Sequence, residues 1–349
     1  MKFPKSLKIV EKFKYVVIVA LLVVVLGVVF GVVRVVNDDT FLNFGIDFTG
    51  GATIEITSED QFDSDVKTGL LDFIDKAGYR VNGDIQETDT DGAYLYQIRL
   101  SYEKDKKTIV GEEAEQEFIG EIFTANTQED FCGDLYEYAK TTLGLSNIEY
   151  EDFRAYAVGA SASDVLVRSA IWAIVVAIIV MLIYIVIRFT LTSALAAVCA
   201  LAHDVIIMFA CCSIFNVTLN STFIAAIITI IGYSINATIV IFDRVRAEKK
   251  LATSASLTDT ELANKAVNST LTVTLLSTLT TLITVVFLLF FSVAEIQEFI
   301  LPIIFGLIAG AVSSCMIAPA LWVKFNKVIK IEKRDKKSSG YNGAVKQDS

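Results

Sequence analysis

Ile231-Gly232-Tyr233-Ser234-Ile235-Asn236-Ala237-Thr238 lies inside a long apolar stretch covering 220–242, and its reading decides the fold. A run of that length and composition crosses a bilayer as helix. The hydroxyls of Tyr233 and Ser234 and the amide of Asn236 are therefore expected at bilayer depth. Polar groups there are costly and mark a pathway, a relay or a helix contact. Ala237, beside the amide, contributes only a methyl.

Working outward, five further apolar stretches of similar length appear, at 15–36, 165–187, 192–215, 267–291 and 296–323. With 54% hydrophobic residues, the composition is that of a membrane protein with six spans. The first span is expected to stay on the chain. Its apolar run exceeds a signal-peptide core, and Arg34-Val35-Val36-Asn37 offers no small-residue cleavage site.

Charge orients the spans. Lys2, Lys5, Lys8, Lys12 and Lys14 precede the first, Arg188 follows the second, and Arg244, Arg246, Lys249 and Lys250 follow the fourth. The tail after the sixth is lysine-rich. The positive-inside rule places all of these in the cytoplasm, with both termini. Residues 37–164 then form one external domain, between 1–36 (N-terminus and first span) and 165–323 (spans two to six), with 324–349 as a basic cytoplasmic tail. Residues 37–164 hold 29 acidic and 9 basic side chains, a local charge of −20 within a chain of net −10. An acidic external surface argues against nucleic acid and against docking on anionic lipid.

Four of the five cysteines, Cys199, Cys211, Cys212 and Cys315, fall in the spans and read as small apolar residues. Cys132 is alone outside, so no disulfide framework is expected. A single histidine, His203, excludes a multi-histidine metal site, and no zinc spacing or cofactor motif is present.

The external segment alternates patterns. Ala52–Ile56 alternates at period two, Phe62, Val66, Leu70, Phe73 and Ile74 recur at helical spacing, and Tyr94–Leu100 reads as the clearest strand. A second helix fits Glu129–Leu143, a closing strand Asn147–Val158, and an acidic helical insert Gly111–Thr124. The order predicts a ferredoxin-like α+β sandwich between spans one and two.

Several residues could carry chemistry. Asp204, preceded by His203, falls mid-span, where a carboxylate costs about 3 kcal/mol and should face the bundle with a partner or water. Thr270, Thr274, Ser277, Thr281 and Thr284 recur at helical spacing, which predicts a hydroxyl stripe turned toward Asp204 and Asn236. Such hydroxyls also often bond carbonyls of their own helix. Asp243-Arg244-Val245-Arg246-Ala247-Glu248 leaves span four at the cytoplasmic surface, where charges anchor a helix or pair with a neighbour. Pro302 and Pro319 predict kinks in the last span. Gly27/Gly31 and Gly306/Gly310 are spaced for close helix approach. Outside, Gly45, Gly50 and Gly51 suit positive φ or close backbone contact in a turn before the first strand.

Four motifs together resemble the SecF family of bacterial protein-export membrane subunits, related to the RND transporters. They are Gly45-Ile46-Asp47-Phe48-Thr49-Gly50-Gly51, Ala202-His203-Asp204-Val205, Gly232-Tyr233-Ser234-Ile235-Asn236 and Thr238 through Asp243-Arg244. The resemblance implies a SecD-type partner of similar layout beside the SecYEG channel. There the pair uses a proton or sodium gradient to help pull secreted polypeptides outward, without enzymatic chemistry. It also implies an aspartate after the asparagine, where this chain has Ala237. In span five it implies Gln-Thr-Leu-x-Arg, where the aligned stretch is Val273-Thr274-Leu275-Leu276-Ser277. Removing aspartate and arginine together is physically coherent, because either left alone in a membrane would be a buried unpaired charge. Two other readings stand beside this one: half of an RND-type exporter of small molecules or lipids, and a non-pumping scaffold for SecD.

Overall fold

The computed structural model describes residues 8–36, 41–77, 79–81, 85–90, 93–101, 125–158, 160–251, 257–291 and 294–329. The expected acidic insert, 330–349 of the basic tail, Lys2 and Lys5 lie outside them.

Among the described residues, six helices are long and apolar enough to cross a membrane. They are α1 (Phe13–Val36), then α5 (Ala160–Arg188), α6 (Leu191–Ile214), α7 (Ser221–Lys250), α8 (Asp259–Phe290) and α9 (Ala294–Val312). α9 continues through a π turn, Ser313–Ile317, so that the last span runs Ile296–Ile329. The fourth, fifth and sixth spans are thus longer than the apolar runs alone predict, because polar turns extend them beyond the bilayer core. Asn220 caps α7 through Thr222 N and Phe223 N, and Thr258 with Glu261 forms a capping box on α8.

Half of the most apolar window of α6 and of α7, and 61% of that of the last span, is buried, against 6–11% for α1, α5 and α8. The centre of the bundle is therefore α6, α7 and α9. The Val, Ile and Leu side chains that cover α1 and α5 are exposed nearly all round, as lipid-facing helices require. Both small-residue pairs mark close crossings. A Cβ on Gly27 would come within 2.8 Å of Ala210 on α6, one on Gly306 within 2.5 Å of Ile230, and one on Gly310 within 3.1 Å of Ser234. Just before Pro319 the helix takes up a π turn, while α9 runs on through Pro302. Pro319 has no N–H to donate to the carbonyl four residues back, Cys315, which lies in that turn.

Between α1 and α5 lies the sheet domain. Its elements are α2 (Ile46–Thr49), β1 (Gly51–Ser58), α3 (Ser64–Lys76), β2 (Arg80–Val81), β3 (Gln86–Thr90), β4 (Ala93–Ser101), α4 (Ala125–Thr141) and β5 (Phe153–Val158). The order β2-β4-β1-β5, all antiparallel with β3 also on β4, is the split βαβ arrangement of a ferredoxin-like sandwich. The closing strand is shorter than Asn147–Val158, because Tyr150–Asp152 forms a 3₁₀ turn first. Ile54, Ile56, Tyr96 and Ile98 pack with Leu70, Ile74 and Leu135 from the two helices. Tyr96 stacks on Phe62 at 4.0 Å and accepts a hydrogen bond from Phe62 N at 2.6 Å, so its buried hydroxyl is satisfied.

Candidate intramembrane site

Asp204 is the centre of the buried polar chemistry. Its α6 helix presents Ala196, Ala197 and Ala200, all buried, one and two turns before it, so neighbouring helices pack close. The carboxylate is fully buried. Oδ2 accepts hydrogen bonds from Ser234 Oγ of α7 at 2.5 Å and from Ser313 Oγ of the π turn at 2.8 Å. His203 Nδ1 lies 3.0 Å from Oδ1. A hydrogen bond to a charged group contributes about 1.5–3 kcal/mol, so two of them offset the roughly 3 kcal/mol a mid-membrane carboxylate costs. Three helices thus meet at one oxygen. Serine hydroxyls donate or accept, so the same three side chains can also satisfy a protonated acid by turning their hydrogens.

The Gly-Tyr-Ser stretch divides between two faces of α7. Ser234 and Thr238 are buried, while Gly232 and Asn236 are exposed on the opposite side, and Ala237 is half-buried. The Tyr233 hydroxyl and His203 Nε2 are buried with no hydrogen-bond partner among the described residues. Asn236 therefore belongs to an outward face rather than to the Asp204 cluster.

The expected hydroxyl seam does not form. Thr270, Thr274 and Thr278 are buried, but Ser277 and Thr284 are exposed and Thr281 is half-exposed. Thr270, Ser277, Thr281 and Thr284 donate to carbonyls of α8 itself, three or four residues back. Helical self-bonding has consumed hydroxyls that the spacing aims at Asp204. Of the two serine partners of Asp204, Ser234 belongs to the motif read from sequence, whereas Ser313 was not singled out. Its signal is the continuation of Gly306 and Gly310 at helical spacing, which places Ser313 on the same close-packed face.

At the end of the bundle away from the sheet domain, Asp243 pairs with Arg188 at 3.4 Å. Arg244 reaches Glu248 at 2.7 Å and donates to Ser269 Oγ at 3.0 Å. Lys265 of α8 closes on the same Glu248 at 2.6 Å. Glu248 is buried between two cations, which fits the pairing role of the helix-exit motif.

The glycine motif outside is a joint between the domain and the helices. Gly45 N donates to Leu219 O and Leu219 N to Asn43 O, both at 2.7 Å. Asp47 Oδ2 accepts from Ser221 N, the first residue of α7, at 2.8 Å. Arg99 of β4, buried, donates to Asn43 Oδ1 at 2.6 Å and to Thr218 Oγ1 at 2.8 Å. Asn220 donates to Glu298 of α9 at 2.6 Å. Thr49 Oγ1 donates to Gly45 O and closes the single turn of α2. Gly50 has φ 69°, and Gly51 has φ 129° with Leu100 O 2.3 Å from where a Cβ would lie, so both need glycine. Sequence reasoning took this stretch as a turn and missed Arg99, Asn43 and Thr218, which are brought together only by the tertiary fold.

The architecture defines a multi-pass membrane protein with one α+β domain outside the bilayer, tied to the helix ends, and a buried carboxylate at a three-helix crossing. Residues 138–328 match the family model of protein export membrane protein SecD/SecF, C-terminal, and residues 42–61 match the SecD/SecF GG motif. The SecF subunit of Sebaldella termitidis is 30% identical over 87% of this chain and 89% of its own length. The SecDF protein of Bacillus subtilis is 31% identical over 81% of this chain, which spans 34% of it. The crystal structure of SecDF, a translocon-associated membrane protein from Thermus thermophilus, superposes with a TM-score of 0.68 at 27% identity. That match covers 92% of this chain but only 39% of the SecDF chain. The chain belongs to the SecF family of protein translocase subunits.

Proposed function

We propose that this subunit acts with a SecD-type chain beside the SecYEG channel of a bacterial cytoplasmic membrane, assisting late steps in the export of secreted polypeptides without enzymatic chemistry. Both termini face the cytoplasm and the sheet domain faces outward. In support, Lys8, Lys12, Lys14, Arg188, Arg246, Lys249 and Lys327 all cluster at the helix ends away from that domain.

One observation carries the reading. α7 is a single helix whose first residue is held by Asp47 of the external joint, and whose Ser234 donates to Asp204 in the membrane. A change in the hydrogen bonding of Asp204 thus has a stiff mechanical route to the exported face. Ala237 and Ser277 supply neither the acid nor the base of the pair the family resemblance implies, and Ser277 spends its hydroxyl on Thr274 O. Ion coupling in this membrane half therefore rests on Asp204, with the carboxylates of the partner. The test is ionophore-sensitive secretion in a strain carrying this chain, its Asp204→Asn variant, and Ala237→Asp with Ser277→Arg. The reading requires loss in the first variant and no dependence on the second.

A scaffold for SecD is the second reading, favoured by the same complete burial of Asp204, which also suits a static clamp. It requires that Asp204→Asn leave secretion intact while deletion of the chain does not. The exporter reading is weaker, because one external domain offers no paired substrate chamber.

A further inference from the structure

At the end of the bundle away from the sheet domain, a cavity of about 330 Å³ opens between the end of α5, the start of α6, the end of α7 and the end of the last span. Three cations line it: Arg188, Arg246 and Lys249. Phe189, Phe242 and Trp322 supply apolar and aromatic surface. Thr190, the cap of α6, brings the positive end of a 24-residue helix to the same space.

Among the described residues, two of the three charges have no carboxylate partner. Arg188 meets Asp243, but Arg246 makes only a hydrogen bond to the Arg188 carbonyl at 3.2 Å, and Lys249 has no carboxylate partner among the described residues. The nearby buried Glu248 is already held by Arg244 and Lys265. Ile187, which also lines the cavity, is 82% exposed at the end of its span. The cavity therefore lies where the apolar band ends and phospholipid headgroups begin.

We propose that this cavity is a binding site for the headgroup of an anionic glycerophospholipid. The phosphate lies between Arg246, Lys249 and the start of α6, and the glycerol and upper acyl chain lie against Phe189 and Trp322. A zwitterionic lipid carries a cation that would meet Arg188 and Lys249, so the site discriminates by net headgroup charge.

The test uses the full-length chain in nanodiscs of phosphatidylcholine with a minor share of phosphatidylglycerol, released into native mass spectrometry. The wild-type chain should retain phosphatidylglycerol in preference to phosphatidylcholine. Arg246→Gln with Lys249→Gln should lower that retention about thirtyfold, the scale expected from two cations near an anionic surface. Arg246→Lys with Lys249→Arg should restore it. Lys14→Gln with Lys327→Gln, which removes two cations from the same end of the bundle but outside the cavity, should leave it unchanged. Equal loss in the cavity and control pairs, or no preference for phosphatidylglycerol, overturns the site. Displacement of the lipid by millimolar inorganic phosphate would assign the cavity to a free anion and overturn its assignment to lipid. Retention is read without secretion, so this result stands apart from the transport assay.

Discussion

Ser313, in the π turn of the last span, donates a hydrogen bond to Oδ2 of Asp204 at 2.8 Å, across 109 residues of sequence. That contact ties a helical irregularity to a carboxylate that is fully buried within the bundle. π turns inside α-helices are frequent at functional sites, and here the turn brings Ser313 and Asp204 within hydrogen-bonding distance.

Ser313→Ala and Ser234→Ala should each destabilise the purified protein by about 1–2 kcal/mol, above the average for membrane hydrogen bonds because the acceptor is a carboxylate. The double variant should cost more than the sum, since the second loss leaves Oδ2 without a hydroxyl donor. Asp204→Asn keeps an acceptor at the same place and should cost less than Asp204→Ala. Thermal unfolding in detergent separates these, and a neutral Ser313→Ala would show that the contact carries no stability.

Two glycines of the sheet domain should respond in opposite directions. Gly51→Ala places a Cβ against Leu100 O and strains a backbone at φ 129°, so it should disrupt the pairing of β1 with β4 and cost several kcal/mol. Gly133→Ala, on α4 with its nearest neighbour 4.0 Å away, should be neutral or stabilise by up to about 1 kcal/mol through helix propensity. Limited proteolysis of the domain ranks the two.

The joint should loosen without unfolding. Asp47→Ala removes the acceptor for Ser221 N, a cap worth about 1 kcal/mol, and Arg99→Ala removes both bonds to Asn43 and Thr218. Spin labels on β5 and on the outer end of α7 should show a broadened distance distribution in both variants, and a narrower one in Asp47→Asn, which retains an acceptor.

The domain should also lose stability in acid. The hydrogen bond from Lys67, helped by Gln61, holds the Glu87 carboxyl below its ordinary range. A folded-state value that is lowered stabilises fully above the unfolded carboxylate value, about 4.3, and that contribution fades as pH falls through the lower folded one. The unfolding midpoint should therefore be insensitive to this group above about pH 5.5 and fall below about pH 4. Glu87→Gln should remove that part of the acid dependence.

Much of the frame was legible from the residues. Apolar runs define six spans because each helix must satisfy its own backbone in lipid, and the alternation at Ala52–Ile56 and Tyr94–Leu100 marks β1 and β4 because one face is buried. Gly50 and Gly51 were legible as backbone requirements. What was hidden is pairing. Nothing local links Ser313 to Asp204, or Arg99 to Thr218, since each pair is set by helix crossings and strand positions far apart in sequence. The threonines of α8 misled for the same reason. Spacing fixes which face a hydroxyl occupies, but not whether it bonds a neighbour or its own helix. Asn236 reads as part of a buried cluster from sequence. Yet it stands two residues beyond the buried Ser234, about 200° of helical rotation, and so it turns outward.

The most direct test is the secretion rate with and without a protonophore in cells whose sole copy of this chain carries Asp204→Asn, with co-purification of the SecD-type partner as the control for assembly. The partner should still co-purify while the protonophore-sensitive part of secretion is lost. Undiminished protonophore-sensitive secretion in that variant would rule out coupling through Asp204.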